Sequence, residues 1–291
     1  MPPRWQGTLS QRLSGAGRTL ARDRSAVAGG VVVLVVVVAA VFAPVIAPYG
    51  PTVQDPAKAL VGLSGDHWLG TDQLGRDLFS RLLYGARTTL LVGLASVTFA
   101  LVLGTFLGTI AGYHGSRLDS VVMRTMDVML AFPVIILAIM IVVVLGPGLW
   151  SLIVAIGVSQ VPFFTRLARS LTIALRSQPF IESAISIGAS DSRVLRSHIL
   201  PNITPLLFVQ AVTTIGLAIL NASALNFLGV GIPPPSPDWG RMVADLGAFV
   251  FTRPELPLYP GAAIAVTVIA MNLLGDGLLK VIDPSAQRRA F

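Results

Sequence analysis

Six stretches of this chain contain no Asp, Glu, Lys, Arg or His: residues 26–47, 88–112, 128–145, 149–165, 203–230 and 258–274. Each is long enough to cross the hydrocarbon core of a bilayer, which takes about 17–25 residues of helix. This spacing constrains the fold more than any motif does. In lipid an unpaired backbone amide or carbonyl costs several kcal/mol, so a spanning segment closes its own hydrogen bonds as a helix. Even the run Val31–Val38, β-prone in water, is therefore expected to be helical. Charged residues make up 12% of the chain and hydrophobic ones 54%, against about 25% charged in soluble domains. The expected fold class is an all-α membrane protein with six transmembrane helices.

The segments divide the chain into a basic tail (1–25), a first transmembrane helix (26–47), a polar extracytoplasmic segment (48–87), a five-helix core (88–283) and a short tail (284–291). The apolar run after the basic tail exceeds the roughly 7–15 residues of a signal-peptide core, so it is read as an uncleaved anchor. Leu74–Tyr84 has the pattern of an amphipathic interfacial helix, and Tyr113–Arg124 that of a polar connector. Arg124 and Asp127 stand at i,i+3 spacing, which suits an ion pair. Gly93, Gly104, Gly108 and Gly112 fall on nearly one helical face and predict a close helix–helix seam. Pro162 is expected to kink the fourth span. His67 is read as a surface or packing histidine.

Charge fixes the orientation. With six crossings, the tails, Arg117, Arg124, the segment 166–196 and Lys280 share one side and hold 15 of the 21 Lys and Arg, leaving 6 on the other. The positive excess marks the cytoplasmic side, so both termini and the 176–202 loop are expected there. The net charge of +7 is then topogenic, and a nucleic-acid partner is not expected.

That loop, RSQPFIESAISIGASDSRVLRSHILPN, is the longest polar interruption between apolar runs in the second half of the chain. Pro179 suits a first helical turn. Gly188 can take φ > 0 and end the helix. Ser190 or Asp191 can cap a second helix, 192–200, which carries Arg193 and Arg196 on one face and stops at Pro201. Ile181, Ala184, Ile185 and Gly188 form a small face that another protein could grip. The alternative is a loop that packs only on its own chain. In the fifth span Gln210, Thr213 or Thr214, and Asn221 lie near one face, with Asn226 further along. They line an aqueous path or hydrogen-bond between helices, and the sequence leaves both open.

The loop resembles the Glu-Ala-Ala loop of ABC importer permeases. Glu182-Ser183-Ala184, then Gly188, then His198-Ile199-Leu200-Pro201 keep the family's spacing throughout, with Ser183 and His198 as the departures. The ending His-Ile-Leu-Pro-Asn, the block from His67 to Asp77, the prolines before Trp239-Gly240 and the run from Asn272 to Gly277 are similar to the dipeptide, oligopeptide and nickel branch. The resemblance covers roughly residues 68–284. It implies a permease subunit in a bacterial cytoplasmic membrane, most often for peptides. Its implied partners are a homologous second permease, two ATPase subunits that bind ATP and Mg, and an extracytoplasmic substrate-binding protein. It also implies that the loop is a coupling lever, with Glu182 and the Gly188 bend setting its shape, and with Arg193 and Arg196 pairing with acidic groups on the ATPase.

No Gly-x-x-x-x-Gly-Lys-Ser/Thr phosphate loop and no His-Glu-x-x-His occur, so neither ATP hydrolysis nor zinc chemistry is expected of this chain. No cysteine is present. The competing class is a self-sufficient channel or secondary transporter, which would place functional charges inside the spans.

Overall fold

A computed structural model describes residues 23–282; the Arg-rich start of the N-terminal tail and the C-terminal tail lie outside them. Among the described residues the regular structure is helical. α1 (Arg24–Val41) starts at Asp23, whose carboxylate accepts from the amides of Ser25 and Ala26. A turn at Ala43–Ile46 prolongs α1. α2 is Leu78–His114, α3 Ser116–Leu130, α4 Val134–Leu145 and α5 Leu149–Arg176. α6 is Pro179–Ser186, and α7 runs over Asp191–Phe227. α8 (Trp239–Gly247) and α9 (Glu255–Ile282) complete the chain. Among the described residues five helices are long and apolar enough to span, and the bent pair α3–α4 brings the number to six when it is counted as one broken span.

Three elements differ from the sequence reading. The interfacial helix expected over Leu74–Tyr84 begins only at Leu78 and continues unbroken into the second span. Its start is set by Asp77, which accepts from the amide of Ser80 at 2.7 Å; the N-cap satisfies a first-turn donor and aligns the helix. At 37 residues α2 is about 55 Å long. The polar connector after it is helix α3, and the third span is not straight: α3 and α4 meet at 93°. Pro133 lies at the bend, has no amide to donate and keeps Phe132 out of helical geometry. α4, with 12 residues, covers about 18 Å, less than the ~30 Å hydrocarbon core.

The expected seam exists and is the main joint of the bundle. α2 packs most extensively on α5. A Cβ on Gly104 would lie 2.6 Å from the Phe164 Cβ, one on Gly108 2.2 Å from the Thr165 carbonyl oxygen, and one on Gly112 2.8 Å from the Arg169 carbonyl oxygen. Gly93 serves a different neighbour, Ile219 of α7. α5 is the central helix, with Leu152, Ala155, Ile156, Phe164 and Ala168 essentially inaccessible. Pro162 sits inside α5 without ending it. α1 stands at the periphery against α9, with Val31, Leu34 and Val35 exposed on its outer face. Asp23 meets Lys280 at 2.6 Å, so the two described ends share one side of the bundle. The ammonium of Lys280 holds the Asp23 carboxyl below its ordinary range.

The segment between α1 and α2 is a packed connector. Arg76 donates to Asp72 at 2.5 Å, Arg81 donates to the Pro51 carbonyl at 2.9 Å, and the His67 ring nitrogen lies 2.9 Å from Asp77. All five side chains are buried. His67 therefore packs, as expected, but inside the protein rather than on its surface.

The seam generates a test. Gly108→Ala forces a methyl into backbone, a strain of about 1–3 kcal/mol, and is expected to lower Tm in detergent by about 5 °C. A Cβ on Gly261, in α9, meets nothing within 4 Å, so Gly261→Ala is expected to leave Tm unchanged or raise it. Thermal unfolding of the two variants checks the contrast.

Candidate functional site

The 176–202 segment forms a helix, a bend and a second helix at one end of the bundle. Pro179 is the first residue of α6, and Glu182 lies in its first turn, where a negative charge complements the helix dipole. α6 ends in a Schellman motif. Gly188 has φ +87; its amide donates to the Ile185 carbonyl at 2.9 Å, and the Ala189 amide donates to Ala184 at 3.1 Å. A residue with a Cβ would be strained in that conformation. The sequence reading of Gly188 as the helix end agrees with this geometry.

The second helix differs from expectation. It does not stop at Pro201. A π-helical turn, Leu195–Ile199, leads directly into Leu200–Phe227. Proline lacks an amide and crowds the carbonyl four residues back; the wider π turn just before it relieves that crowding. Ser190 occupies the capping position but makes no side-chain capping bond. Asp191 accepts instead from the Tyr113 hydroxyl at 2.9 Å.

The expected gripping face is split: Ile185 and Gly188 are exposed, and Ile181 and Ala184 turn inward. Ile181 is fully buried and Ala184 nearly so; with Val194 and Ile199 they bolt the loop to its own chain, three of the four joining the main core. Amphipathic spacing identifies an apolar face but not what covers it, and here burial within the chain satisfies it. The outward apolar residues are Phe180, Ile185 and Ile187, the last 87% exposed at the bend. Ser183, Glu182, Arg193 and Arg196 are exposed, as is Pro201, while His198 and Leu200 are half-buried. The His198 ring stands 6.5 Å from that of Phe180 and joins the two helices. Among the described residues Glu182, Arg193 and Arg196 form no ion pair.

The supports of the loop were not legible in the sequence. Arg169 makes a two-pronged contact to Asp119, one arm at 2.6 Å. Asp127 pairs with Arg166 at 2.5 Å rather than with Arg124. Arg176 lies 5.4 Å from the Tyr113 ring centroid. These partners are 39 to 78 residues apart where they are hydrogen-bonded. The one local signal was Tyr113 itself, since a buried tyrosine hydroxyl finds a partner.

The polar residues of α7 are not gathered into one lining. Thr213 and Thr214 donate to the Gln210 carbonyl at 2.9 and 2.7 Å, and the Gln210 amide donates to Thr213 at 3.3 Å. Thr213 faces α9, where a Cβ on Gly275 would come within 2.2 Å of its methyl. Asn221 is half-buried. Asn226 is fully buried and accepts from the Ile232 amide at 2.7 Å, so it holds a turn in place. Beside it, Asp238 accepts from Thr89 at 2.9 Å and from the amides of Gly240 and Arg241. Trp239 donates to the Leu82 carbonyl at 2.9 Å.

A bundle whose apolar helix sections carry no charge, with a helix–glycine–helix loop at one end, has the build of a membrane permease. The chain belongs to the family of binding-protein-dependent transport system inner membrane components, whose model matches residues 104–288. Residues 12–63 match the N-terminal transmembrane domain of oligopeptide transport permease C. The chain is 42% identical over 283 residues to a dipeptide transport system permease protein DppC of Alkalihalophilus pseudofirmus, covering 97% of this chain and 93% of that one. It is 43% identical to a glutathione transport system permease protein GsiD of Escherichia coli, over 92% of this chain and 88% of that one. The fold is similar to a chain in inward-facing structures of the MetNI methionine ABC transporter, with TM-score 0.58, 21% identity, and coverage of 71% of this chain and 98% of that chain.

Asp238 lies outside the spanning segments, and burial pushes its carboxyl above the ordinary range, against the hydrogen bonds it accepts. A folded-state pKa above the unfolded value favours the fold below the unfolded pKa, and this contribution is lost as pH rises through the folded pKa. Asp238→Asn keeps an acceptor for the capping amides and is flat in pH. Its thermal stability relative to the parent is expected to be higher at pH 7.5 than at pH 4.5, measured by thermal unfolding in detergent.

Proposed function

We propose that this chain is the permease subunit of an ATP-driven importer for peptides, and that α6 and the bend at Gly188 are the lever by which separate ATPase subunits move its helices. One observation carries the reading. A loop bolted to the core by Ile181, Val194 and Ile199 presents a bare apolar tip, Ile187 with Phe180 and Ile185, ringed by Glu182, Arg193 and Arg196. Exposed apolar side chains with unpaired charges around them, on a segment that cannot move independently of the helices, suit docking to a partner protein.

Peptide cargo is supported by the names of the relatives, which transport dipeptides and glutathione. The remaining partners in this reading are a homologous second permease and an extracytoplasmic binding protein. ATP and Mg belong to the ATPase subunits. The tip lies at the end where the positive residues concentrate, which supports a cytoplasmic loop and cytoplasmic termini.

Mechanically, ATP-driven closure of the ATPases displaces the tip. The Schellman bend passes the displacement to α7, which is continuous with the loop's second helix. α7 then re-tilts against α9 and α2, its neighbours in the bundle. A cavity shared with the second permease switches from outward- to inward-facing.

Ile187→Asp or Glu182→Arg is expected to lower recovery of the ATPase subunits with the tagged chain about tenfold, a loss of about 1.4 kcal/mol, with insertion in the membrane unchanged. Undiminished recovery with intact ATP-dependent uptake rules the lever out. Because the chain has no cysteine, single-cysteine labelling tests the orientation. Ser186→Cys is expected to react with an impermeant maleimide only after permeabilisation, and Asp66→Cys in intact cells.

A further inference from the structure

The loop has a second attachment that the lever does not require. The hydroxyl of Tyr113, in the last turn of α2, donates at 2.9 Å to the Asp191 carboxylate, the first residue of α7. The ring is 5% exposed. The Arg176 guanidinium, the last residue of α5, lies 5.4 Å from its centroid. The end of α2, the end of α5 and the start of α7 thus converge on one side chain.

Two clefts lie beside its neighbours. A cleft of about 400 Å³ lined by Gly112, Gly115, Asp119, Arg176 and Ser177 lies between α2, α3 and α5. A second, of about 420 Å³, is lined by Thr109, His114, Asp191, Ser192 and Arg196 and lies between α2 and α7. The hydroxyl–carboxylate bond therefore links α2 to α7 from a ring seated in the main core, with the clefts on either side of its neighbours. A bond to an ionised acceptor is roughly twice as strong as one between neutral groups, and it is directional, unlike the apolar contacts of Ile181 and Val194.

We propose that Tyr113 is a positioning residue for coupling: a strut that passes displacement of the loop to α2 as well as to α7. The far end of α2 carries the other half of the argument. Thr89 and the Leu82 carbonyl bind Asp238 and Trp239 there, and Asp77 caps its first turn. α2 is one unbroken helix between these two sets of bonds. Pushing Tyr113 therefore loads the 231–247 segment on the opposite side of the bundle. This inference rests on the lever reading of the loop and adds a second output to it.

The test uses the full complex with its partner subunits, in nucleotide-free form and trapped with ATP and vanadate. Amide hydrogen exchange is followed in this chain over 179–190, beside the loop, and over 77–93 and 231–247, at the far end. In the parent both regions are expected to respond to trapping. Tyr113→Phe keeps the ring and its contact with Arg176 and removes one hydroxyl. It is expected to keep the response at 179–190 and, in part, at 231–247, which α7 also reaches, and to reduce the far-end response at 77–93 at least fivefold. Asp191→Ala is expected to do the same from the other side of the bond, while Asp191→Asn retains an acceptor and the response at 77–93. A response at 77–93 that survives both Tyr113→Phe and Asp191→Ala overturns the strut and leaves the lever standing. If the parent shows no response at 179–190, the lever fails and the strut with it.

Discussion

The close approach of α2 and α5 is the joint on which the rest of the molecule depends. In lipid there is no hydrophobic reward for bringing two apolar helices together, so the gain has to come from van der Waals contact between backbones. Gly104, Gly108 and Gly112 make that possible by presenting no side chain to Val161–Thr172. The joint also fixes what lies beyond the membrane. α5 continues past its apolar section to Arg176, and its Arg166 and Arg169 reach Asp127 and Asp119 of α3. Those pairs brace the helix from which the loop departs. An exposed pair such as Asp127–Arg166 contributes little on its own. The two-pronged Arg169–Asp119 contact is more directional, and its geometry exists only because α5 has been set against α2.

Much of this was legible before the structure, for physical reasons that differ from element to element. The spans were readable because hydrocarbon tolerates neither charge nor an unpaired backbone. The glycine seam was readable because Gly104, Gly108 and Gly112 recur at i,i+4 spacing on one face. The bend at Gly188 was readable because φ > 0 there calls for a residue without Cβ. The 93° break at Pro133 also had a local signal, in the residue itself, and the length of the uncharged run 128–145 outweighed it. Other features had no local signal. Periodicity shows that Ile181 and Ala184 share a face, and not that the face turns inward. The merging of an amphipathic start with a span into a single α2 depended on Asp77 capping it. The pairs Tyr113–Asp191 and Arg169–Asp119 join residues 78 and 50 apart, a separation that only the tertiary fold bridges.

The polar residues of α7 illustrate how one composition serves two ends. Near the loop, Gln210, Thr213 and Thr214 bond mostly to their own helix, and Thr213 sits against Gly275, where α9 comes close. At the other end Asn226 spends its side chain on the Ile232 amide, and Asp238 links the following segment to Thr89 of α2. An unsatisfied polar group costs about 1–3 kcal/mol when buried; these bonds satisfy the Thr214 hydroxyl and the Asn226 side-chain oxygen, while the Asn226 side-chain nitrogen is buried without a hydrogen-bond partner.

A helix transmits displacement only as far as its ends are held. α7 is held at its start by Val194 and Ile199 in the core and at its finish by the Asn226–Ile232 bond. α2 is held at its start by the Asp77 cap and the buried cluster of Asp72, Arg76 and Arg81, and at its finish by Tyr113. Between those points α2 is an uninterrupted ladder that bending would stretch, and α7 keeps its course through the π turn at Leu195–Ile199 and Pro205. The α3–α4 pair differs, because its bend at Pro133 already interrupts that ladder and absorbs motion locally. The helices suited to carry a displacement across the membrane are therefore the two whose ends are bonded on both sides, and the broken pair can accommodate the movement without passing it on.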